Sequence, residues 1–458
     1  MKRFLSFLLP CLLCVPWFSS FAAADGGKPN FLIFLADDLG WNDVGFHGSK
    51  IKTPNLDRLA AEGLMLEQHY VAPLCSPTRT GLMTGRFWSR FGVTNPQNEQ
   101  ALPFGTETIA SALKSVGYQT ALFGKWHLGS LPEQGPNKFG FDRSYGSLAG
   151  GVGPYDHHYK KGPFTQTWHR DCKLVEEEGH VTDLIAREAV NWVKTLNDRP
   201  FLLYVPFTAV HIPIDEPKEW LDKNPQFDDP DMRRYAACAT HMDAAVGRIL
   251  DALRAAGRLD QTLVLFFSDN GGSIGVRNDD LKYPGTYPPG RTTASNTPLR
   301  GQKGQLYEGG IRTPAIAWWP KRLKPGKVNV PLHITDWMPT LTRLAGYQPK
   351  RNLKWDGQDV WPVLSGDAEQ LEARVLYWLG PGRKASAIRL GDWKLIVTGD
   401  KQELFNIATD PEEKENVAGT QPEQLTELTK LLARHAARDN DAVVPRTKGA
   451  KQAADIQE

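Results

Sequence analysis

For most of its length the chain is predicted to form an α/β fold, a parallel sheet covered by helices on both faces, with a small antiparallel sheet and one helix appended at the C-terminal end. Three observations predict this. Short apolar runs rich in β-forming residues recur, at Phe31-Leu32-Ile33-Phe34-Leu35, Phe201-Leu202-Leu203-Tyr204-Val205 and Leu263-Val264-Leu265-Phe266-Phe267. None alternates with polar residues, as befits strands buried on both faces. Amphipathic helical stretches lie between them, so strand, helix, strand repeats along the chain.

Taken in order, residues 1–24 read as a secretory signal peptide: Met1-Lys2-Arg3, an apolar run from Phe4 to Phe18, then Phe21-Ala22-Ala23-Ala24. Pro10 and Pro16 interrupt the run, and it falls short of the ~20 apolar residues a membrane span needs. Leu13 before Cys14 is too large for a lipoprotein site. No later segment is apolar for long enough, so no stable membrane insertion is expected and the chain reads as secreted or periplasmic. The main α/β domain is assigned to residues 25–365. One of its helices follows Thr106, with Ile109, Leu113 and Val116 on one stripe and Gly117 as its stop. Another carries Met242, Val246, Ile249 and Leu253 and stops at Gly257. From Leu364-Ser365-Gly366 the texture changes to short strand-like pieces, at 387–390, 393–397 and 403–406. A last helix is predicted from Thr420, with Glu423 in capping-box register and Leu425, Leu428 and Leu432 on one face. This subdomain is assigned to 366–440. The chain from Asp439 is polar and predicted to be loose, with 441–458 as its tail.

Without Lys2 and Arg3 the 54 basic residues fall to 52, equal to the 52 acidic ones. A neutral chain gives no support to nucleic-acid binding, which shows as a basic excess or stripe. Outside the signal peptide only Cys75, Cys172 and Cys238 remain, too few for a disulfide scaffold. Cys238 sits in a predicted helix as a small apolar residue, and Cys172 in a polar loop, free or paired.

Asp37 and Asp38 follow the first apolar strand directly, and Ser268-Asp269-Asn270-Gly271-Gly272 follows another. Open α/β sheets bind ligands at such strand ends. One acidic pair alone is explained as well by helix caps or turns. Two such segments, each ending a core strand, point to a hard, oxygen-only metal site for Ca²⁺, with Mg²⁺ second. Cys75-Ser76-Pro77-Thr78-Arg79 has Ser76 as a potential helix cap with Pro77 in the first turn. That places Cys75 at the positive end of a helix dipole, where a thiolate nucleophile is one reading and a partly buried cysteine the other.

The segment C-x-P-x-R, continued by Thr84-Gly85-Arg86, resembles the signature of the type I, formylglycine-dependent sulfatases of the alkaline-phosphatase-like superfamily. The resemblance implies an α/β/α sandwich and conversion of Cys75 to formylglycine (3-oxoalanine) by a maturation enzyme. The hydrated aldehyde attacks sulfur, with one oxygen also on the metal held by Asp37, Asp38, Asp269 and Asn270. It implies that Arg79 holds the hydrate, and that Gly124-Lys125-Trp126-His127 supplies Lys125 to the sulfate oxygens and His127 to take the hydrate proton and release sulfate. His211 is implied as the acid for the leaving alcohol. Lys303, in Leu299-Arg300-Gly301-Gln302-Lys303-Gly304, is implied as a second cation on sulfate, with Glu308 and Arg312 as an internal ion pair. Further blocks, Gly140-Phe141-Asp142 and Gln305 to Gly310 among them, resemble the arylsulfatase B group, which acts on N-acetylgalactosamine 4-sulfate and related units. The animal forms carry more cysteines, so a disulfide-supported pocket does not transfer.

The stretches least like the family are expected to build the pocket for a sulfated carbohydrate: Arg86 to Arg90 with Trp88, Tyr155-Asp156-His157-His158, Trp168-His169-Arg170, and Arg277 to Arg291. Aromatic faces stack on sugar rings and cations meet sulfate or carboxylate. Two other functions compete with sulfate-ester hydrolysis: a phosphatase or phosphonate monoester hydrolase on the same fold, and an inactive glycan-binding relative with unconverted Cys75.

Overall fold

The computed structural model describes residues 27–280 and 282–443. The signal-peptide segment 1–24, and the tail beyond 443, lie outside the described residues. The first apolar run forms β1 (Asn30–Ala36) at the middle of a ten-stranded sheet. The other strands are β2 (Leu64–Leu66), β3 (Gln119–Phe123), β4 (Arg143–Ser147), β5 (Trp168–Arg170), β6 (Lys173–Leu174), β7 (Phe201–Pro206), β8 (Thr262–Ser268), β9 (Ala315–Trp318) and β10 (Gly326–Val328). Their order is β10-β2-β9-β8-β1-β7-β3-β4-β5-β6. The central five, β8 to β4, run parallel. β9, β5 and β6 join antiparallel towards the edges, so the sheet is mixed rather than wholly parallel.

The run of unbroken apolar residues in β1 has the cause inferred from it. Phe31, Ile33 and Leu35 belong to one buried cluster, and Leu32, Phe34 and Ala36 to another, because successive side chains of a strand point to opposite faces. The second face is covered by α1 (Pro54–Glu62), α4 (Val181–Val193) and α5 (Pro230–Ala255). The first is covered by α2 (Cys75–Thr84), α3 (Ile109–Ser115) and α6 (Trp337–Leu344). Thr108, not Thr106, caps α3, in a reciprocal capping box with Ser111.

The C-terminal part is a four-stranded antiparallel meander, β11 (Val375–Leu379), β12 (Ala385–Leu390), β13 (Trp393–Thr398) and β14 (Lys401–Asn406). One face carries α7 (Pro422–Ala436), with Leu428 and Leu432 buried; the other puts Leu376, Trp378, Ile396 and Phe405 into the first cluster of the main domain. α7 starts at Pro422 rather than Thr420, whose hydroxyl instead bonds the carbonyl of Val417. The chain from Asp439 is not loose as far as it is described. Asp441 accepts from Arg86, Asp439 accepts from Tyr377, and the backbone of Asn440 and Ala442 donates to Ser89 and Arg90.

Candidate active site

β1 and β8 are parallel neighbours, with Ala36 paired to Ser268. The residues that follow each strand therefore emerge side by side at one edge of the sheet, Asp37-Asp38 beside Asp269-Asn270. The backbone N–H of Asp38 donates to Asp269 at 3.3 Å, and the Asn270 amide to Asp38 at 2.8 Å. All four side chains are buried. Asp38 and His127 are held in the left-handed region, at φ 66° and 57°, a backbone state that ordinary residues keep only where the surroundings impose it.

Cations enter from three other elements. Lys125 and His127 follow β3, two strands away; the Lys125 ammonium lies 2.5 Å from Asp37. Arg79, one turn into α2, donates to Asp269 at 2.9 Å and to the carbonyl of Lys125 at 2.6 Å. Lys303 reaches Asp38 at 2.7 Å from a long connection. Cys75 is the first residue of α2, buried in the field of Lys125, Lys303, Asp269 and Asp37. Ser76 does not cap the helix. Its hydroxyl donates to the carbonyl of His127 at 3.0 Å and accepts from the N–H of Gln97, tying α2 to the His127 loop. His211 lies five residues beyond the end of β7 rather than at it, 3.9 Å from Asp38.

Charge crowding has measurable consequences. Burial, reinforced by Asp269 and Asp38, pushes the Asp37 carboxyl up to about 7 despite Lys125. Burial works the same way on Asp38, but Lys303 and His211 outweigh it and hold that carboxyl below the usual range. Burial lowers His127 and His211 far below the usual imidazole value, and the neighbouring lysines add to it, so both are neutral bases. Burial also raises the Cys75 thiol, only partly offset by the lysines. The helix end therefore does not make a thiolate of Cys75, and the unmodified side chain is a poor nucleophile here.

Some buried polar atoms have no partner among the described residues: Asp37 Oδ1, Asn270 Oδ1 and both ring nitrogens of His127. A buried polar atom left unpaired costs about 1–3 kcal/mol. Two unpaired oxygens beside two further carboxylates form a donor set that fits a hard dication of the calcium kind. Asp37, Asp38 and Asp269 would hold it with Asn270.

The structure brings together Asp37, Asp38, Cys75, Arg79, Lys125, His127, His211, Asp269, Asn270 and Lys303, but Trp88, His157, His158, Trp168, His169 and Arg170 do not join them. Trp88 is fully buried, its indole donating to the carbonyl of Leu379 and stacking on His333, so it docks the C-terminal sheet. Arg86 and Arg90 are spent on Asp441 and on Asp356 and Asp439. His169 is locked between Gly146 and Ser144, and Trp168 is packed between Tyr145 and His157. Arg170 pairs with Glu188 across the Tyr145 ring. His157 bonds the carbonyl of Gly179, and His158 lies on a bridge to Gln166. His157, His158 and Trp168 line a separate cleft of about 800 Å³ that contains none of the strand-end residues.

Two glycines that sequence reading missed face the site, as does one residue of the expected 277–291 stretch. Gly150 and Gly151 press against the imidazoles: a Cβ at 150 would lie 2.4 Å from His127 Nε2, and one at 151 would lie 3.3 Å from His211 Nδ1 and 2.6 Å from the Tyr283 hydroxyl. The run Ala149-Gly150-Gly151-Val152-Gly153, poor in side chains for a loop, was the signal for this close approach. Tyr283 lies within the 277–291 stretch, whose sequence alone does not show which residue turns inward.

A family profile described as Sulfatase matches residues 29–347, and one described as N-sulphoglucosamine sulphohydrolase, C-terminal, matches 302–440. Among curated proteins the chain is 34% identical to N-acetylgalactosamine-6-sulfatase of Mus musculus, over 91% of this chain and 82% of that one. It is 31% identical to Arylsulfatase J of Mus musculus, over 92% and 77%. Among solved structures, one titled as Ps i-CgsB in complex with k-i-k-neocarrahexaose superposes with a TM-score of 0.82 at 32% identity, covering 94% of this chain and 98% of that one. The galactosamine relative is named for the 6-sulfate, whereas the resemblance read from the sequence was to enzymes of the 4-sulfate.

Proposed function

Since the chain belongs to the sulfatase family and is a sulfuric ester hydrolase, we propose that it removes O-sulfate from galactose- or N-acetylgalactosamine-type glycans, with a formylglycine made from Cys75 as nucleophile and calcium as resident metal. The observation that carries this reading is the convergence just described. Three acids and an amide with unpaired oxygens, two lysines and two neutral histidines surround one cysteine at a helix start.

Oxidised to formylglycine and hydrated, residue 75 would supply a geminal diol, and calcium, held by Asp37, Asp38, Asp269 and Asn270, would supply positive charge to offset that of the sulfate. The rest falls to the side chains. Lys125 and Lys303 sit on flexible stems over Asp37 and Asp38, within reach of residue 75. Each ammonium can leave a carboxylate for a sulfate oxygen and offset the charge that builds up in the transition state. Arg79, pinned by Asp269 and the Lys125 carbonyl, cannot move and fixes the position of the α2 end. Once one hydroxyl oxygen of residue 75 had bonded to sulfur and the sugar oxygen had left, His127, with both nitrogens unpaired, would take the proton from the other hydroxyl, so that the C=O bond re-forms and sulfate departs. His211 stands against Gly151, next to the glycine under His127; neutral in the empty site, it would gain a proton only beside the negative charge of a bound sulfate ester, and could then pass it to a sugar alkoxide, a poor leaving group.

Export completes the proposal: the first 24 residues address the chain to the periplasm or the outside, where sulfated polysaccharide is met. A maturation enzyme of the host acts on Cys75. No helix among the described residues is long and apolar enough to cross a membrane. The test is to purify the chain from a host with a formylglycine-generating system and measure the mass of the peptide containing residue 75 alongside sulfate release. Conversion of CH₂SH to CHO should scale with activity across preparations. Full activity in a preparation whose Cys75 is wholly unconverted would overturn the proposal.

A further inference from the structure

We propose that Lys160 and Tyr283 form a specificity subsite on the leaving-group side of the reaction, and that the preferred substrate carries a second anionic group beside the ester that is cleaved. This rests on the sulfatase reading of the same site and adds the class of sugar it takes.

The charge balance points to it. Asp37, Asp38 and Asp269 are matched by Arg79, Lys125 and Lys303, three against three, so the proposed calcium already gives the site a positive excess that a sulfate ester offsets only in part. Lys160 adds a fourth cation. It is half-buried, with its ammonium over the Tyr159 ring, in the electrostatic field of Lys303, Cys75 and Lys125, and has no carboxylate partner among the described residues. A partly desolvated ammonium near two others is unfavourable unless an anion joins it. Its neighbours Tyr159 and Lys161 pack on the loop of Tyr283, which ties Lys160 to the side of the site that Tyr283 and His211 border.

Tyr283 is the independent observation. Only 6% exposed, its hydroxyl has no hydrogen-bond partner among the described residues. It opens onto the space over Gly151 that His211 also borders, on the side from which the leaving alcohol is protonated. A sugar hydroxyl or ring oxygen there would complete it. The two residues come from loops fastened to each other. Lys161 N–H donates to the carbonyl of Lys282 at 2.7 Å, Tyr159 meets Tyr283 edge to face, and the Tyr287 hydroxyl donates to Asp156 at 2.8 Å. The Asn98 amide donates to the Tyr159 hydroxyl at 3.1 Å and its carbonyl accepts from Gly150, joining this platform to the glycines under His127. The subsite is thus built before substrate arrives, which saves the ordering cost of binding.

A carboxylate or a second sulfate would satisfy Lys160 equally, and the experiment separates them. Aldehyde-bearing, calcium-loaded enzyme is assayed for sulfate release on N-acetylgalactosamine 6-sulfate, N-acetylgalactosamine 4,6-disulfate, a 6-sulfated disaccharide with a uronate neighbour, and 4-nitrophenyl sulfate. We expect one of the two dianionic sugars to exceed the monosulfated one in kcat/KM by roughly ten- to a hundredfold, the range of one charge-assisted hydrogen bond. Lys160→Met should collapse that ratio towards one, mainly through KM, and Tyr283→Phe should raise KM for every sugar more than for the nitrophenyl ester. A wild-type enzyme that prefers the monosulfated sugar, or a Lys160→Met enzyme that loses the same factor on all four, overturns the subsite. Failure to release sulfate from any probe, 4-nitrophenyl sulfate included, overturns the sulfatase reading and the subsite with it.

Discussion

Two buried groups of charges in the molecule are finished to different degrees. In the one that joins the main domain to the C-terminal sheet, Glu308 accepts from Tyr70 at 2.6 Å and from Lys394 at 2.8 Å. Lys394 also binds Glu413 at 2.8 Å, and Glu413 in turn accepts from the N–H of Glu308. Arg389 bonds the Tyr70 hydroxyl, and Arg312 flanks Glu308 at 3.6 Å. None of these residues has an unpaired buried atom. The strand-end group is just as buried yet leaves Asp37, Asn270 and His127 with atoms unpaired. The first network is saturated by the chain itself and holds two units together. The second is open, and its unpaired atoms fit the proposed metal and substrate.

This contrast is most severely tested by Cys75→Ala. If the open group serves chemistry alone, kcat/KM should fall on the order of 10⁴-fold or more, while truncating this one small buried side chain costs no more than about 1 kcal/mol of stability by urea denaturation. A parallel collapse of stability would erase the distinction. The converse experiment is Lys394→Met, which strands two buried glutamates and should destabilise by about 3–5 kcal/mol. Turnover per folded molecule should stay within a small factor, and adding Glu413→Gln should recover part of the stability. A Lys394→Met enzyme that folds normally but is inactive would show that the saturated network belongs to the site.

Calcium should act on one group and not the other. At a hundred times its dissociation constant, a ligand that binds only the folded state stabilises it by about 2.7 kcal/mol. Asn270→Ala should lose most of that increment, whereas Lys394→Met, unstable as it is, should retain it in full. An equal increment in Asn270→Ala and the wild type would remove Asn270 from the metal.

Much of this was legible in the sequence, and unevenly so. The core strands announced themselves because burial on both faces demands unbroken apolar runs, and the residues after them followed, since a parallel pair must present its ends together. The motif residues Cys75, Lys125, His127 and Lys303 were legible through the resemblance of their segments to sulfatase signatures, since position alone left an ordinary structural reading open for each. The wall of the pocket was not. Trp88, His169 and Arg170 have the composition of a sugar site, but composition does not say which way a loop residue turns, and each is consumed by a structural partner. Lys160, between Tyr159 and Lys161, gave no sign of being the one that faces inward.

His69 lies between the two groups and offers the smallest and most direct test of how they are insulated. Its ring stacks on Phe267, two residues before Asp269, and its Nε2 accepts from the Trp337 indole at 3.1 Å. Its carbonyl accepts from Thr313, next to Arg312. Burial alone lowers this imidazole to about 3, well below the 6.5 it has in the unfolded chain. The folded state therefore binds fewer protons than the unfolded one throughout that window, and stability must rise with pH across it. The contribution is complete above pH 6.5 and fades as pH falls towards 3, amounting to roughly 2–3 kcal/mol between pH 6.5 and 4.5. His69→Gln, which can still accept from Trp337, should flatten the stability profile in that range. It should leave the pH dependence of sulfate release, set by groups on the other side of Phe267, in place. If that dependence shifts as well, the two networks are coupled electrostatically and must be treated as one titrating system.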